Sequence, residues 1–273
     1  MSFKQNLCIV IGDPVEHSLS PKMHQFGYEA LNLADTWRFA PCHVRPENLE
    51  SAVSGIRALS IRGASVTLPH KEAVIPYLDS VDPLARRIGA VNTIVNDNGY
   101  LTGYNTDYYG IVDPLNAKMN LQNERVLLMG AGGAARAAAI ALSDFGALVT
   151  IVNRTDSKAN YLANQINNLN VVSSEFNNLA HCVSQAKIIV NCTSVGMVPN
   201  LNQCLIEQDW LTVNHVVFDT VYTPQNTLLL KRARLKGAVT IFGTEMLLAQ
   251  GGKQFTLYTN QPAPIDAMAK VFV

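Results

Sequence analysis

Short apolar runs rich in β-branched residues alternate with helical patterns along most of this chain. Runs of such near-continuous apolarity are typical of strands that are covered on both faces of a sheet. Strand–helix alternation also predicts parallel sheets with right-handed crossovers, so the chain is predicted to be α/β. The predicted strands are 7–12, 64–69, 126–130, 148–153, 187–192, 215–219 and 238–243, and helical patterns include 133–145, 156–168 and 225–236.

One segment, 92–105, breaks this alternation. It consists of two apolar stretches joined by Asn98-Gly99, and this dipeptide supplies the two positive-φ residues of a tight hairpin turn. We place a domain boundary after the hairpin, so that residues 1–106 form one α/β domain and 107–243 form a second. The helical pattern in 244–273 is predicted to return to the first domain. A length of 273 residues accommodates two modest domains.

The charge balance and the apolar runs exclude several classes of protein. Lys and Arg number 21 and so do Asp and Glu, so the net charge is zero and there is no bulk attraction to nucleic acid or to an anionic membrane. No apolar run reaches 18 residues, and the apolar stretch at 7–12 is too short for a signal peptide. We therefore expect no membrane association and a cytoplasmic location.

The cysteines and histidines lack the spacing of a metal site. Five cysteines are present without a CxxC pair, and six histidines are present without an HExxH motif. A disulfide framework is not expected, and no metal ligands are predicted. Cys8 and Cys192 lie in apolar runs and are predicted to be buried. The histidines are interpreted as surface or packing residues.

A glycine-rich turn directly follows the predicted strand 126–130 and opens an alanine-rich helix. In the pattern Gly130-x-Gly132-x-x-Ala135, the first glycine allows a tight turn and the second allows the backbone to approach a pyrophosphate. The alanine allows the helix to pack closely on the strand, and the helix N-terminus binds the anion. An ordinary strand–helix turn is the alternative reading, but the motif stands in the context that a dinucleotide site requires.

The end of the next strand predicts which dinucleotide binds. An NAD enzyme places an acidic residue there for the ribose 2′-hydroxyl, whereas this chain has Asn153, Arg154 and Thr155, followed by Lys158. The two cations are suited to clamp a 2′-phosphate and Thr155 to donate a hydrogen bond to it, so we predict NADP(H) rather than NAD(H). The alternative is that Arg154 and Lys158 are a solvated helix start.

Polar residues also stand at strand ends in the first domain. Ser20 is predicted as a helix N-cap with Pro21 at the first helical position, whereas Ser18 has no such structural role. Lys71 opens a helix after the strand 64–69, where its charge opposes the helix dipole.

Asn92 begins the hairpin and Asp107 follows it. Strand ends are the rim where α/β sites form, and a Lys–Asp pair there is suited to proton transfer. A solvated surface lysine is the alternative interpretation of Lys71.

These motifs together resemble the shikimate dehydrogenase family. The resemblance is carried in order by HSLSPKMH, GASVTLPHKEAVIP, GAVNTI, GYNTD, GAGGAAR, VNRT and MLLAQGGKQF, over residues 9 to about 260. It implies an N-terminal substrate domain and a Rossmann-type NADP-binding domain with the active site in a cleft between them. It also implies reversible reduction of 3-dehydroshikimate to shikimate with NADPH, in aromatic amino-acid biosynthesis.

The resemblance also implies a role for particular residues. Lys71 would be the catalytic acid and base, and Asp107 its partner. The implied substrate contacts are Ser18, Ser20, Thr67, Lys71, Asn92, Asp107, Tyr222 and Gln250. The implied NADP contacts are Gly130, Ala131, Gly132, Gly133, Ala134, Asn153, Arg154, Thr155, Lys158, Thr220 and Gly243.

Several positions depart from the family's usual pattern, and they leave the substrate open. They are Ser65 for Asn, Tyr108 for Gly, Pro114 within the helix expected after Asp107, Thr244 and Glu245 for small or apolar residues, and Tyr258-Thr259-Asn260 for Trp-Thr-Gly. Pro114 is expected to kink or restart its helix. A paralogue that oxidises quinate or a related hydroxylated cyclohexane carboxylate is the first alternative, and a non-catalytic NADP or metabolite sensor the second. Either a monomer or a homodimer is compatible with the sequence.

Overall fold

The computed structural model describes residues 5–273, which divide into two compact units. The first unit takes in the described chain up to Thr106 together with Leu248–Val273, and the second unit is Asp107–Leu247. Each unit is built around its own six-stranded sheet. The functional roles assigned to the domains 1–106, 107–243 and 244–273 stay predictions.

The strands and helices are numbered in chain order. The strands are β1 Asn6–Gly12, β2 Trp37–His43, β3 Gly63–Val66, β4 Ser80–Val81, β5 Thr93–Asp97, β6 Tyr100–Tyr104, β7 Arg125–Met129, β8 Leu148–Val152, β9 Val171–Ser174, β10 Ile188–Asn191, β11 Val216–Asp219 and β12 Val239–Ile241. The helices are α1 Ser20–Ala30, α2 Leu49–Ala58, α3 His70–Ala73, α4 Pro83–Ile88, α5 Asp107–Asn116, α6 Gly133–Asp144, α7 Asp156–Ile166, α8 Leu179–Gln185, α9 Leu228–Leu235, α10 Gly243–Thr259 and α11 Ile265–Met268. Short 3-10 turns lie at Pro46–Asn48, Ile75–Tyr77, Phe176–Asn178, Gln208–Trp210 and Ala269–Phe272.

The sheet of the first unit is mixed. Its strand order is β2-β1-β3-β5-β6-β4. β1 pairs in parallel with β2 and β3, and β5 pairs antiparallel with β3 and β6. The predicted hairpin is confirmed: β5 and β6 are joined by Asn98 and Gly99 with φ of 56° and 93°. Apolar side chains from β1, β3, β5 and α2 form the core on one face of this sheet.

The sheet of the second unit is entirely parallel, in the order β12-β11-β10-β7-β8-β9. Successive residues of its central strands belong to different cores: Val126 and Leu128 pack with α5, α6 and α7, and Leu127 and Met129 pack with α8 and α9. Helices therefore cover both faces, which explains why these strands read as continuous apolar runs. The predicted α/β class, with two domains of which one is Rossmann-type, is confirmed.

Every strand predicted from the sequence is present, but three strands were missed. These are β2, β4 and β9, and each lies at an edge of its sheet. An edge strand has a neighbour on one side only, so it tolerates polar residues and even proline, as at Pro41 within β2. The continuous apolarity that identified the predicted strands, including the edge strand β12, is absent from these three sequences.

Two predictions about helices are corrected. Helix α5 runs without a break from Asp107 through Pro114 to Asn116, so the proline does not restart the helix. Helix α9 begins at Leu228 rather than near 225, because the Thr227 hydroxyl caps it by accepting the Leu230 N–H at 3.3 Å.

The prediction about buried cysteines is half correct. Cys8 is fully buried, and burial raises the pKa of its thiol to about 12. Cys192 is only half-buried, because it lies just beyond the end of β10.

Within residues 5–273, no helix is long and apolar enough to cross a membrane, and no group of three His, Cys, Asp or Glu side chains is placed to hold a metal ion.

Candidate functional site

In the first unit, several predicted site residues gather at the carboxyl ends of β1 and β3. Thr67 follows β3 directly: its N–H donates to Ile11 O at 2.9 Å, and its carbonyl accepts the His70 N–H at 2.9 Å. That turn places Lys71 in the first turn of α3. The carbonyl of Lys71 in turn accepts the N–H of Val91, at 2.7 Å. Thr67, Lys71 and the residue before Asn92 are thus tied together by backbone hydrogen bonds.

Ser18 and Ser20 follow β1, and the structure does not give Ser20 the helix-capping role predicted for it. Leu19 already has helical backbone angles, with φ −84° and ψ −10°, so Ser20 lies inside the first turn. The Ser18 hydroxyl accepts the Ser20 N–H at 3.3 Å in a local turn ahead of the helix, and the N-cap residue is Leu19, which makes no side-chain capping bond. Ser20 is therefore not the N-cap, and Pro21 is the second residue of α1. Ser20 is buried, whereas Ser18 is half-buried.

Asn92 stands at the centre of a buried polar cluster. Its Oδ1 accepts the Thr106 N–H at 2.7 Å and the Thr93 hydroxyl at 2.7 Å. Its Nδ2 donates to Thr106 Oγ1 at 2.9 Å and to Gln250 Oε1 at 3.4 Å. Asn92 and Gln250 are 2% and 6% exposed, so these bonds form out of contact with bulk water, where a missing partner is costly. The structure thus brings together Asn92 of the hairpin and Gln250 of α10, which are 158 residues apart.

Other members of this cluster were missed by the sequence analysis. They are Thr93, Thr106 and Gln254, all at most 2% exposed. One signal was available: glutamines at 250 and 254 stand one helical turn apart in α10, which places both on the same face.

In the second unit, the glycine-rich turn has the predicted conformation. Gly130 follows β7 with φ +115°, and a Cβ there would lie 2.9 Å from the Cys192 carbonyl oxygen. Gly132 is exposed at the start of α6, and a Cβ there would meet no protein atom within 4 Å. Packing within the protein does not require a glycine at 132, so the missing side chain leaves the backbone open to an approaching ligand. Ala135 is fully buried against β7, as the motif requires.

The residues predicted to select NADP follow β8. Arg154, Thr155 and Lys158 are all exposed, and Asn153 Nδ2 donates to the Thr155 carbonyl at 3.0 Å. The nearest carboxyl group in sequence, Asp156, accepts the backbone N–H of Phe176 at 2.8 Å. That carboxylate is held by the segment after β9, and the exposed side chains at the end of β8 are cationic or neutral. The donor set of this segment fits a 2′-phosphate.

Thr220 and Gly243 are brought together at the ends of β11 and β12. A Cβ at 243 would lie 2.7 Å from the Thr220 carbonyl oxygen and 2.4 Å from that of Val221, so only glycine fits there. The Thr220 hydroxyl donates to the Asn191 carbonyl at 2.9 Å.

Tyr222 lies two residues after Thr220 and is half-buried, and desolvation raises the pKa of its phenol. Asp107, the remaining predicted site residue, is the buried first residue of α5.

Several departures from the family pattern have structural roles. Tyr108 donates its hydroxyl to Asp144 at 3.0 Å, which links α5 to the end of α6. Glu245 accepts the Phe242 N–H at 2.9 Å and so satisfies a backbone donor at the start of α10. Asn260 ends α10 with φ 56°, a left-handed conformation that asparagine adopts more easily than most residues.

Asp219 is a buried carboxyl group beside Thr220. It accepts hydrogen bonds from the Thr227 hydroxyl at 2.6 Å, from Asn191 Nδ2 at 2.9 Å and from the Val221 N–H at 3.1 Å. Its side chain is fully buried, and this desolvation outweighs the hydrogen bonds and raises its pKa to about 6. The Asp219 carboxylate therefore binds a proton more tightly in the folded protein than in the unfolded chain.

We expect Asp219→Asn to change the pH dependence of stability. Because the folded pKa is raised, the contribution of Asp219 is most favourable at low pH and is lost as the pH rises through about 6. We compare the free energies of unfolding of the two proteins. The value for the native protein minus that for the variant should fall by about 1.4 kcal/mol per pH unit from about pH 4 to 6 and then level off. Urea denaturation of both proteins between pH 4.5 and 8 measures this difference. A difference that does not change with pH would contradict the prediction.

The structure defines a class of protein: it has two α/β units, one with a polar rim at its strand ends and one of Rossmann type with an open glycine turn. Comparison with known proteins then gives the family. Family models match residues 10–94 (shikimate dehydrogenase substrate binding domain), 115–211 (shikimate / quinate 5-dehydrogenase) and 243–271 (shikimate 5'-dehydrogenase C-terminal domain). The chain belongs to the shikimate dehydrogenase family, and the resemblance noted in the sequence is confirmed.

Individual relatives agree with the family models over nearly the whole chain. A shikimate dehydrogenase (NADP(+)) of Desulforamulus reducens is 42% identical over 98% of this chain and 94% of its own length. A shikimate dehydrogenase crystallised with NADP+ superposes with a TM-score of 0.93 at 36% identity, over 100% of this chain and 96% of its own. The enzyme from Thermus thermophilus, solved with NADP(H) and shikimate, has a TM-score of 0.89 at 34% identity, over 98% of both chains.

Proposed function

We propose that this protein catalyses the reversible, NADP-dependent reduction of 3-dehydroshikimate to shikimate, a step of aromatic amino-acid biosynthesis. The observation that carries the proposal is the polar rim of the first unit, where Thr67, Lys71 and Asn92 are joined by short hydrogen-bonded segments and Gln250 contacts Asn92. Membership of the family supports it. The proposed small-molecule substrate is thus shikimate or, in the other direction, 3-dehydroshikimate. The oligomeric state (monomer or homodimer) and the cytoplasmic location stay predictions.

The polar residues of the first unit suit a ring acid with several hydroxyl groups. Ser18 and Ser20 are proposed to bind the carboxylate, and Thr67, Asn92 and Gln250 the ring hydroxyls. These side chains offer both donors and acceptors, as a polyol requires. Asp107 and Tyr222 complete the proposed set of substrate contacts.

The reacting ketone needs one proton at its oxygen. Lys71 as an ammonium ion is proposed to hydrogen-bond that oxygen and to donate the proton as negative charge develops; in the reverse direction its amine accepts the proton. Asp107 is proposed to keep Lys71 charged and oriented. When bound, NADPH supplies the hydride for the carbonyl carbon.

The fit to NADP rests on the open turn at Gly132 and on the cations that follow β8. Gly130, Ala131, Gly132, Gly133 and Ala134 are proposed to hold the pyrophosphate at the N-terminus of α6. The proposed clamp for the 2′-phosphate is formed by Asn153, Arg154, Thr155 and Lys158. Thr220 and Gly243 are proposed to lie against the nicotinamide.

Initial rates at 340 nm test the proposal. Shikimate and quinate are each offered with NADP and with NAD, and Lys71→Ala serves as the blank. We expect fast turnover with shikimate and NADP only. Faster oxidation of quinate would favour the alternative, a paralogue that oxidises quinate. The family model that matches residues 115–211 covers both shikimate and quinate 5-dehydrogenases. Tight binding of NADP without turnover of either acid would favour the sensor.

A further inference from the structure

Gln254 is a buried amide that the proposed mechanism does not use. It is 2% exposed and lies one helical turn after Gln250 on α10. A buried amide is costly unless its donors and acceptor are all paired, so its partners show what it does. Its oxygen accepts the Ser65 hydroxyl at 2.9 Å, and its nitrogen donates to Thr93 Oγ1 at 3.0 Å and to the Asn92 carbonyl at 3.2 Å.

These bonds form a relay with a defined direction, which we call the amide relay: Ser65, Gln254, Thr93 and Asn92. Because Thr93 Oγ1 accepts from Gln254 Nε2, the proton of Thr93 is available for another acceptor, and that acceptor is Asn92 Oδ1 at 2.7 Å. Each member therefore sets the donor and acceptor roles of the next.

The relay and the backbone N–H of Thr106 together determine which way round the amide of Asn92 lies. Its oxygen is held by the hydroxyl of Thr93 and the N–H of Thr106, so its nitrogen is left on the side of Gln250. Reversing this amide would set Nδ2 against two donors. Asn92 thus presents N–H groups, and not a carbonyl oxygen, toward Gln250.

The relay ends at Ser65, and the hydroxyl of Tyr258 contacts Ser65 from outside the relay. The two hydroxyls are 3.1 Å apart, and both side chains are buried. Gln254 links this pair to the predicted substrate contacts.

We propose that Gln254 is a positioning residue that determines affinity for the ring acid by fixing the orientation of the Asn92 amide. The inference rests on the proposed function, in which Asn92 and Gln250 bind the substrate. Gln254 acts through Thr93 and Asn92 and does not itself bind the substrate. Its loss should weaken ground-state and transition-state binding alike, which raises KM and leaves kcat nearly unchanged.

The first variant is Gln254→Met, which keeps the length of the side chain and removes its hydrogen bonds. We expect KM for shikimate to rise about tenfold, since one or two hydrogen bonds that hold Asn92 are lost, while kcat stays within about threefold. The Kd for NADP should not change. A KM within twofold of the native value, in a folded variant, would overturn the proposal.

Tyr258→Phe is the matched control. It removes a hydroxyl from the same buried region, but that hydroxyl contacts Ser65 beyond the relay, and Gln254 keeps its bonds to Thr93 and Asn92. We expect KM to stay within about twofold, whatever the thermal stability of this variant. Equal rises of KM in both variants would show that general packing, and not the relay, sets the affinity.

Gln254→Glu provides a readout that a purely structural role would not produce. A carboxylate cannot donate to Thr93 or to the Asn92 carbonyl, whereas a protonated carboxyl can donate to one of them. The KM of this variant relative to the native protein should therefore fall as the pH is lowered from about 8.5 to 5.5, since burial raises the pKa of a carboxyl group. The corresponding ratio for Gln254→Met should stay flat, and equal behaviour of the two variants would contradict the relay.

In the native protein, the titratable groups near the relay keep their charge state over that range. His24 stacks near Tyr258 and Phe255 and also interacts with Gln254, and burial lowers its pKa to about 3. Because a carboxylate at 254 would favour the charged form of His24, the Gln254→Glu series is also measured in a His24→Phe background. Burial raises the pKa of Cys8 to about 12 and those of Tyr28 and Tyr258 well above their usual value. At this end of α10 the guanidinium of Arg62 donates to the carbonyl of residue 258 at 2.9 Å and is paired with the carboxylate of Asp97.

A binding-independent measurement separates failure of the relay from failure of the proposed substrate. The side-chain amide of Asn92, observed by 15N NMR, should exchange slowly with water in the native protein and in Tyr258→Phe, and faster in Gln254→Met. This result does not depend on which ring acid is turned over. If shikimate is not oxidised but the exchange pattern holds, the proposed function fails and the relay stands. Unchanged exchange in Gln254→Met would overturn the relay itself.

Discussion

Replacement of Lys71 by Ala is expected to lower kcat for shikimate oxidation by about 10²–10⁴-fold, while the KM for shikimate changes little. The physical reason is that proton transfer to or from the ring oxygen then has no positioned group. Binding of the ring acid is shared among Ser18, Thr67, Asn92 and other side chains, so most of it survives. Steady-state rates at 340 nm over a range of shikimate concentrations measure both parameters.

Two further variants separate proton transfer from charge and from general damage. Lys71→Arg keeps a positive charge, but a guanidinium does not release its proton near neutral pH, so kcat should fall almost as far as in Lys71→Ala. Lys231→Ala removes an exposed lysine of α9 and should leave kcat unchanged. If Lys71→Ala retained kcat within about threefold of the native value, Lys71 would not be the acid.

Arg154→Asp is expected to raise the Kd for NADPH about 10–100-fold and to leave the Kd for NADH within about threefold. A guanidinium that binds the 2′-phosphate makes charge-assisted hydrogen bonds, which are stronger than neutral ones, and aspartate in its place repels the phosphate. NADH lacks that phosphate, and an acidic residue at the end of this strand is what NAD enzymes use for the ribose hydroxyls. Isothermal titration with both cofactors gives the two constants.

The control for net charge is Arg86→Asp, which changes an exposed arginine of α4 by the same two charge units. This substitution should change the Kd of neither NADPH nor NADH. Lys158→Ala should weaken NADPH binding in the same direction as Arg154→Asp, though less, because it removes one positive charge without adding a negative one. Equal losses of NADPH and NADH affinity in Arg154→Asp would show that this segment does not discriminate between the cofactors.

The sequence predicted every central strand and the edge strand β12, but it missed the edge strands β2, β4 and β9, for one physical reason. A strand covered on both faces must be apolar at successive positions, as in 126–130 and 187–192, and such a run is visible without any tertiary information. The edge strands β2 and β9 are stabilised by one neighbour and by the rest of the fold, so Trp37–His43 and Val171–Ser174 carry no local pattern of that kind.

The same distinction applies to the sites. The turn at Gly130 and Gly132 is local, because a few consecutive residues set its backbone angles, and the structure shows the expected geometry. The prediction of Ser20 as the N-cap was wrong because the N-cap of α1 is Leu19, a boundary that differs by a single residue from the predicted one.

The sequence by itself determined the α/β class, the hairpin, the nucleotide turn and the family, because each depends on neighbouring residues or on short motifs in a fixed order. Only the tertiary structure decided how distant polar residues are paired. Gln254 meets Thr93 across 161 positions of the chain, and Ser65 meets Tyr258 across 193. Such pairings depend on how α10 packs against the sheet of the first unit, and no local preference of the backbone encodes that packing.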